Sequence, residues 1–297
     1  MKLIGDEVYY LGEFGKPDTL SIYMIIHEDN KRGIIVDSAP SNFVKEIIDI
    51  CKVSKIEISE VLLTHIHPDH AGGIWLITKY YPNAKVYVSS RGARHIIDPS
   101  KLVPSAKEAL GEIYYIWGDI KPVKEKNVVN LDVKDYEVIE LGERKIKVIA
   151  TIGHAPHHLS YLDLKSRILF TGDALGTYYK DCNVIIPASA MPSYRHELAI
   201  EDIERLKKEG PKCLAIPHFS YHYSVNKLID KNLYYYENWA KLITEEACKG
   251  ATANSILNRF ANEFKEYECI CKDKIRRQIM LSKIKGFLTY LKRSNKL

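Results

Sequence analysis

The run Thr64-His65-Ile66-His67-Pro68-Asp69-His70 constrains this chain more than any other stretch. Glu60 to Thr64 reads as a short strand that delivers the histidines at its end. His65 and His67 lie two residues apart, so in an extended segment their side chains point to the same side. Asp69 and His70 follow on the turn. These four candidate ligands fall within six residues. Imidazole suits zinc and iron, and a carboxylate balances the charge of a cation. Ala71-Gly72-Gly73 leads into the next helix, and the two glycines are expected to let the backbone pass close to a metal shell.

Three later segments put a histidine or aspartate just after a strand: Gly153-His154, Gly172-Asp173 and Pro217-His218. The strands are read from apolar, β-branched runs. Leu20 to His27 and Gly33 to Asp37 form a hairpin around Glu28-Asp29-Asn30-Lys31-Arg32, and Lys85 to Val88 is a further strand. Tyr136 to Leu141 pairs with Lys145 to Ile152, Leu159 to Leu164 with Ile168 to Thr171, and Cys213 to Ile216 is a last buried strand. Ser41 is expected to cap a helix through Val44, Ile47, Ile48 and Cys51. The helix after Gly73 stops at Pro82. Residues 91–123 read as helix and loop broken by Pro99, Pro104 and Pro122. A helix from His196 ends at Gly210-Pro211.

Thr64-His65-Ile66-His67-Pro68-Asp69-His70-Ala71-Gly72-Gly73 resembles the T-H-x-H-x-D-H-x-G-G motif of the metallo-β-lactamase superfamily, nearest its glyoxalase II-like hydrolase branch. Gly153-His154, Gly172-Asp173 and Pro217-His218 follow in the family's order, and the resemblance covers roughly residues 3 to 222. It implies an α+β fold, the four-layer αββα sandwich, and two divalent metal ions. His65, His67 and His154 would hold the first. Asp69, His70 and His218 would hold the second, with Asp173 bridging. Zinc is the first expectation, with iron and manganese as alternatives. Seven protein ligands leave an open place for a bridging hydroxide, which the two cations generate near neutral pH and which attacks a carbonyl.

The sequence departs from the family beside two ligands. His157 stands where most relatives have glycine in G-H-x-P-G-H, and Phe219 follows His218 where G-H-G is common. His157 is therefore a candidate for contact with substrate or metal ligands, with a structural histidine as the alternative. Tyr178, Tyr179, Tyr194, Phe219 and Tyr221 crowd the later loops. Related lactonases use a tyrosine after the bridging aspartate on the carbonyl or leaving group, which makes Tyr178 or Tyr179 a candidate. Catalytic roles are thus expected of Asp69, Tyr178 and His157. His27, His95 and His196 are read as ordinary histidines, His196 at a helix N-terminus.

After His222 the pattern becomes helical. Val225 to Lys249 carries a stripe of Leu228, Tyr235, Trp239 and Leu242, and helices follow over Ala253 to Phe264 and Lys272 to Arg293. The division expected is a catalytic domain over 1–222 and a helical extension over 223–297. The extension would cover the site mouth or make a homodimer contact. The formal charge of the 297 residues is +5, and nine Lys/Arg against one acid lie from Lys272 onward. The remainder is close to neutral, so no nucleic-acid-coating surface is implied. The six cysteines show no C-x-x-C pair and read as reduced core thiols. Gln278 is the single glutamine in a chain rich in Lys, Glu, Ile and Tyr, a bias seen in thermophile proteins. No signal segment or bilayer-length apolar run is read, so a cytoplasmic protein with no membrane partner is expected.

The activity expected is metal-dependent hydrolysis of a thioester, lactone or similar acyl bond in a small-molecule substrate. The alternatives are a metal-dependent phosphodiesterase or nuclease, an iron-dependent oxygenase of the persulfide dioxygenase type, and a regulator that keeps the fold without activity.

Overall fold

The computed structural model describes residues 1–15, 20–29 and 31–297. Asn30 of the predicted hairpin turn lies outside them. The first part of the chain contains β1 (Lys2–Gly5), β2 (Val8–Phe14), β3 (Leu20–Ile26), β4 (Arg32–Val36), α1 (Val44–Ser54) and β5 (Glu57–Leu62). It continues through α2 (Pro68–Ala71), α3 (Ile74–Tyr80), β6 (Lys85–Ser89), α4 (Ser90–Ile97), α5 (Leu102–Leu110), α6 (Glu112–Trp117) and β7 (Val128–Leu131). Next come β8 (Tyr136–Leu141), β9 (Arg144–Ala150), β10 (Leu159–Asp163), β11 (Ile168–Phe170), β12 (Thr177–Tyr179) and β13 (Val184–Ile186). The chain ends with α7 (His196–Lys208), β14 (Cys213–Ala215), β15 (Tyr221–His222), α8 (Val225–Cys248), α9 (Ala253–Glu263), α10 (Lys265–Lys272) and α11 (Lys274–Arg293).

These elements divide into two compact units. The first comprises residues 1–150, 157–172 and 211–223; the second comprises 151–156, 173–210 and 224–297. The helical residues after 223 thus group with a stretch from the middle of the chain, where a separate extension was expected.

The first unit contains two sheets. One has the order β1-β2-β3-β4-β5-β6-β7, and the other β15-β14-β11-β10-β9-β8. β4 to β7 run parallel, with α1, α3 and α4 to α6 in their crossovers. β3 and β4, in the middle of this sheet, are apolar on both faces, because both faces are covered. On β3, Ile22, Met24 and Ile26 share a cluster with Ile47, Ile48, Ile74 and Ile77 of α1 and α3. Tyr23 and Ile25 point the other way, into a cluster with Val148, Tyr161 and Phe170 of the second sheet. The period of two along β3 therefore separates a sheet–helix core from a sheet–sheet core.

The second unit consists of the hairpin β12–β13 and helices α7 to α11. The predicted stripe Leu228, Tyr235, Trp239, Leu242 is buried on α8. Trp239, Phe260 and Tyr267, from α8, α9 and α10, form an aromatic core with centroid separations of 4.7 Å and 5.1 Å for the pairs that include Phe260.

Several local expectations change. Ser41 lies in a short helical turn, and its hydroxyl donates to the Trp117 carbonyl at 3.3 Å instead of capping α1. Pro104 sits inside the first turn of α5, where its missing N–H has no helical partner to lose. Cys182 and Cys269 are joined in a disulfide, which corrects the reading of all six cysteines as reduced thiols. Their sequence separation of 87 hides the pairing, which depends on the β12–β13 turn meeting α10.

Candidate metal centre

The parallel register of β4 beside β5 brings Asp37 and Thr64 together just past the strand ends. Asp37 adopts a left-handed backbone conformation, with φ of 62°. Its carboxylate accepts the Thr64 N–H at 2.8 Å and the Thr64 hydroxyl at 2.9 Å. It also accepts His70 Nδ1–H at 2.8 Å. A proton held on Nδ1 leaves His70 Nε2 with its lone pair, the form a metal ligand needs.

His70 Nε2 lies 3.5 Å from Asp69 Oδ2, and His218 Nε2 lies 3.7 Å from that oxygen. Asp69, His70 and His218 each offer a ligand atom within 4.8 Å of the others. His70 and His218 are buried. Two buried imidazoles and a carboxylate converging on one point form a donor set that suits a divalent transition metal. His218 follows β14, and the next two residues, Phe219 and Ser220, have φ of 71° and 88°. Phe219 thus takes a left-handed conformation at the position where glycine is common in the family motif.

His65 and His67 also meet in this unit. The His65 Nδ1 lies 3.0 Å from the Thr64 hydroxyl, and its Nε2 lies 2.9 Å from His67 Nδ1. The His157 ring stacks parallel to His65 at 6.2 Å and stands edge-on to His67 at 5.7 Å. His158 is fully buried, its ring 5.0 Å from His65. Gly73 makes its close approach to packed chain rather than to the ligands. A Cβ there would lie 2.1 Å from Val44 Cγ2 and 2.7 Å from the Ala39 carbonyl oxygen.

The second unit carries His154 and Asp173. His154 Nδ1 donates to the Ala188 carbonyl at 2.6 Å, and Nε2 lies 3.5 Å from Asp173 Oδ2. Both residues are buried. Tyr178, on β12, is half-buried and donates its hydroxyl to Asn183 Oδ1 at 3.1 Å. Tyr179 is buried beneath the Arg276 guanidinium. His196 opens α7 as expected, and burial pushes its imidazole down to about 4.

Asp37 and Thr64 are the residues that sequence reasoning missed at this centre. Their signal was available. Asp37 is an acid directly after a buried strand that the parallel register places beside the histidine run.

Comparison with known proteins adds to this geometry. A family model described as the metallo-beta-lactamase superfamily matches residues 16–218. The chain is 30% identical over 205 residues to the metallo-beta-lactamase fold-containing protein of Sulfurisphaera tokodaii, which covers 68% of this chain and 73% of that one. It is 28% identical over 159 residues to a hydroxyacylglutathione hydrolase of Francisella tularensis subsp. novicida, or 53% of this chain. It spans about half of that relative, 49%. A crystal structure of an archaeal metallo-beta-lactamase superfamily protein from Sulfolobus tokodaii superposes with a TM-score of 0.64 at 26% identity, over 78% of this chain and 86% of that one. A family protein from Thermus thermophilus gives 0.69 at 17% identity, over 97% and 94%, a likeness of fold alone.

Proposed function

The chain belongs to the metallo-β-lactamase superfamily, and we propose that it is a dinuclear metal-dependent hydrolase of a thioester, lactone or similar acyl bond. Its α+β fold is that of the family, with a C-terminal helical region. The observation that carries the proposal is the convergence of Asp69, His70 and His218, with His70 held in its ligand tautomer by Asp37.

These three residues are assigned to one metal. By the family motif, His65, His67 and His154 would hold the other, and Asp173 would add a carboxylate ligand. Zinc is the metal assigned, since imidazole and carboxylate are among its ordinary donors. Two bound cations supply Lewis acidity and make a water nucleophile available near neutral pH. The protein's own contribution is orientation. Asp37 fixes the proton on His70, and the Ala188 carbonyl fixes the proton on His154. His65, His70, His154 and His218 are buried, and His67 is half-buried.

His157, beside His65 and His67, is assigned to contact with substrate. Tyr178 is assigned to the carbonyl or leaving group, which requires its hydroxyl to exchange Asn183 for substrate. The hydroxyacylglutathione hydrolase relative favours an acyl substrate over a phosphodiester. A small-molecule substrate is proposed rather than nucleic acid. Among the described residues, no helix is long and apolar enough to cross a membrane. A cytoplasmic setting is part of the same reading.

A panel of thioesters, lactones and phosphodiesters, assayed with zinc-, iron- and manganese-loaded protein, tests the proposal. Cleavage of at least one acyl substrate, abolished in Asp69→Ala, is expected. Cleavage confined to phosphodiesters, or normal acyl turnover by Asp69→Ala, would refute it.

A further inference from the structure

Within the second unit, α7 grips the residue that precedes His154. Asp202, on α7, is 3% exposed, and its carboxylate accepts the Gly153 N–H at 2.7 Å. The N–H of Arg195, the residue before α7, donates to the Gly153 carbonyl at 2.9 Å. Both backbone groups of Gly153 are thus held by one helix and its leading residue. The packing is equally close. A Cβ on Gly153 would lie 2.3 Å from Ala199 N and 2.4 Å from Ala199 Cα, so only glycine fits.

Asp202 is a costly choice for this task. A buried carboxylate is unfavourable unless it is well paired. Its other contact is Arg205 Nη1 at 3.5 Å, and burial pushes its acid up to about 7. An apolar residue on α7 would pack against Gly153 without that desolvation, but it would leave the Gly153 N–H without an acceptor. What the carboxylate adds is a fixed Ile152–Gly153 peptide, while the Arg195 N–H holds the next one, which leads into His154. The imidazole is held at Nδ1 by Ala188, and its Nε2 faces Asp173 Oδ2 at 3.5 Å. The direction of Nε2 also depends on where Gly153, bonded to His154 and gripped at both its N–H and its carbonyl, sits.

We propose that Asp202 is a positioning residue for metal ligation: by holding the Gly153 peptide it aims His154 Nε2. The proposal rests on the reading of His154 as a ligand of one metal in a dinuclear centre. Asp202 touches neither metal nor substrate in this account. Its effect passes through one hydrogen bond and should fall on the metal that His154 holds, leaving the Asp69, His70, His218 set intact.

The test is titration of the metal-stripped full chain with cobalt(II), followed by visible absorption and by chelator competition. The wild-type protein is expected to take up two equivalents. In Asp202→Ala, one equivalent should bind about 10- to 100-fold more weakly, the usual effect of losing a group that orients a ligand, while the other stays within about twofold. Asp202→Asn retains an acceptor oxygen and should restore both affinities. Gly153→Ala, which pushes the same peptide off α7, should reproduce the selective loss.

Unchanged affinities in Asp202→Ala, an equal loss of both, or an Asn variant as weak as the Ala variant would overturn the proposal. If Asp202→Ala does not fold, the Asn and Gly153→Ala variants still decide it: tight binding of both metals in Gly153→Ala would overturn it. Fewer than two equivalents in the wild type would instead overturn the dinuclear reading beneath it.

Discussion

In the first unit side chains bond directly to the candidate ligand histidines; in the second a main-chain carbonyl does, and the Asp202 side chain acts one residue away. Asp37 and Thr64 reach His70 and His65 through a carboxylate and a hydroxyl. His154 leans on the carbonyl of Ala188, and the peptide before it is pinned by α7. The scaffolds differ in the same sense. The first unit is two sheets whose cores form from alternating strand residues. The second is a set of helices around aromatic side chains, with a disulfide across it. An orienting side chain is open to mutation. An orienting carbonyl is not, because any residue supplies one.

The contrast can be broken first at the disulfide. Opening a cross-link between residues 87 apart should cost the second unit about 4.6 kcal/mol by the loop-entropy argument. Thermal unfolding with and without a dithiol reductant should show this loss, with hydrogen exchange in β3 to β6 unchanged. Equal loosening of both units would remove the distinction.

The first unit has its own vulnerable contact. Arg144 and Asp163 are both fully buried, and Arg144 Nη2 donates to Asp163 Oδ2 at 2.6 Å. Arg144→Met leaves the acid without its cation and should destabilise by about 3–5 kcal/mol, read from urea unfolding. A change below about 1 kcal/mol would mean that Ser166, whose N–H also donates to that oxygen at 2.9 Å, suffices.

Asp37→Ala should weaken metal binding or activity by about 10- to 100-fold, because His70 loses the partner that fixes its tautomer. Ala188→Ser should change neither, since the carbonyl stays in place. Similar losses in the two variants would contradict the contrast between side-chain and main-chain orientation.

The smallest effect lies at His27, which is buried between Glu60 and Glu143, with nitrogen–oxygen distances of 3.1 Å and 3.3 Å. The hydrogen bond to Glu60, then its charge and those of Glu143, raise the imidazole above its ordinary value against the cost of burial. A raised folded-state value stabilises fully below the unfolded value near pH 6.5, and the gain is lost as pH rises through the folded value. The melting temperature should therefore fall modestly from pH 6 to pH 8.5, and His27→Gln should flatten that slope.

Much of the first unit was legible in sequence because its strands are short apolar runs with clear turns. The pairs β8–β9 and β10–β11 fall where Tyr136 to Ile152 and Leu159 to Thr171 place them. The histidine run was legible for a related reason, since a spacing of two has one meaning at a strand end. β1, β2, β7, β12, β13 and β15 were missed; all but the seven-residue β2 have two to four residues, too few for periodicity to register. α10 was missed because its eight residues lie between two longer helices and show little more than two turns of pattern. Asp37 was passed over as a strand residue, its role set by a neighbouring parallel strand and not by its own segment. The Cys182–Cys269 pair and the hold of Asp202 on Gly153 are long-range contacts of the folded chain, with separations of 87 and 49.

The central claim is that the gathered histidines and aspartates form a metal centre that performs hydrolysis. Its most direct test measures bound metal and acyl-ester turnover together, in wild type and in His218→Ala. The account predicts two metal equivalents with turnover in the wild type, and in the variant a loss of one equivalent with turnover down on the order of 10³-fold. Wild-type turnover that survives complete chelation, or a His218→Ala protein that keeps both metals and full activity, would contradict it.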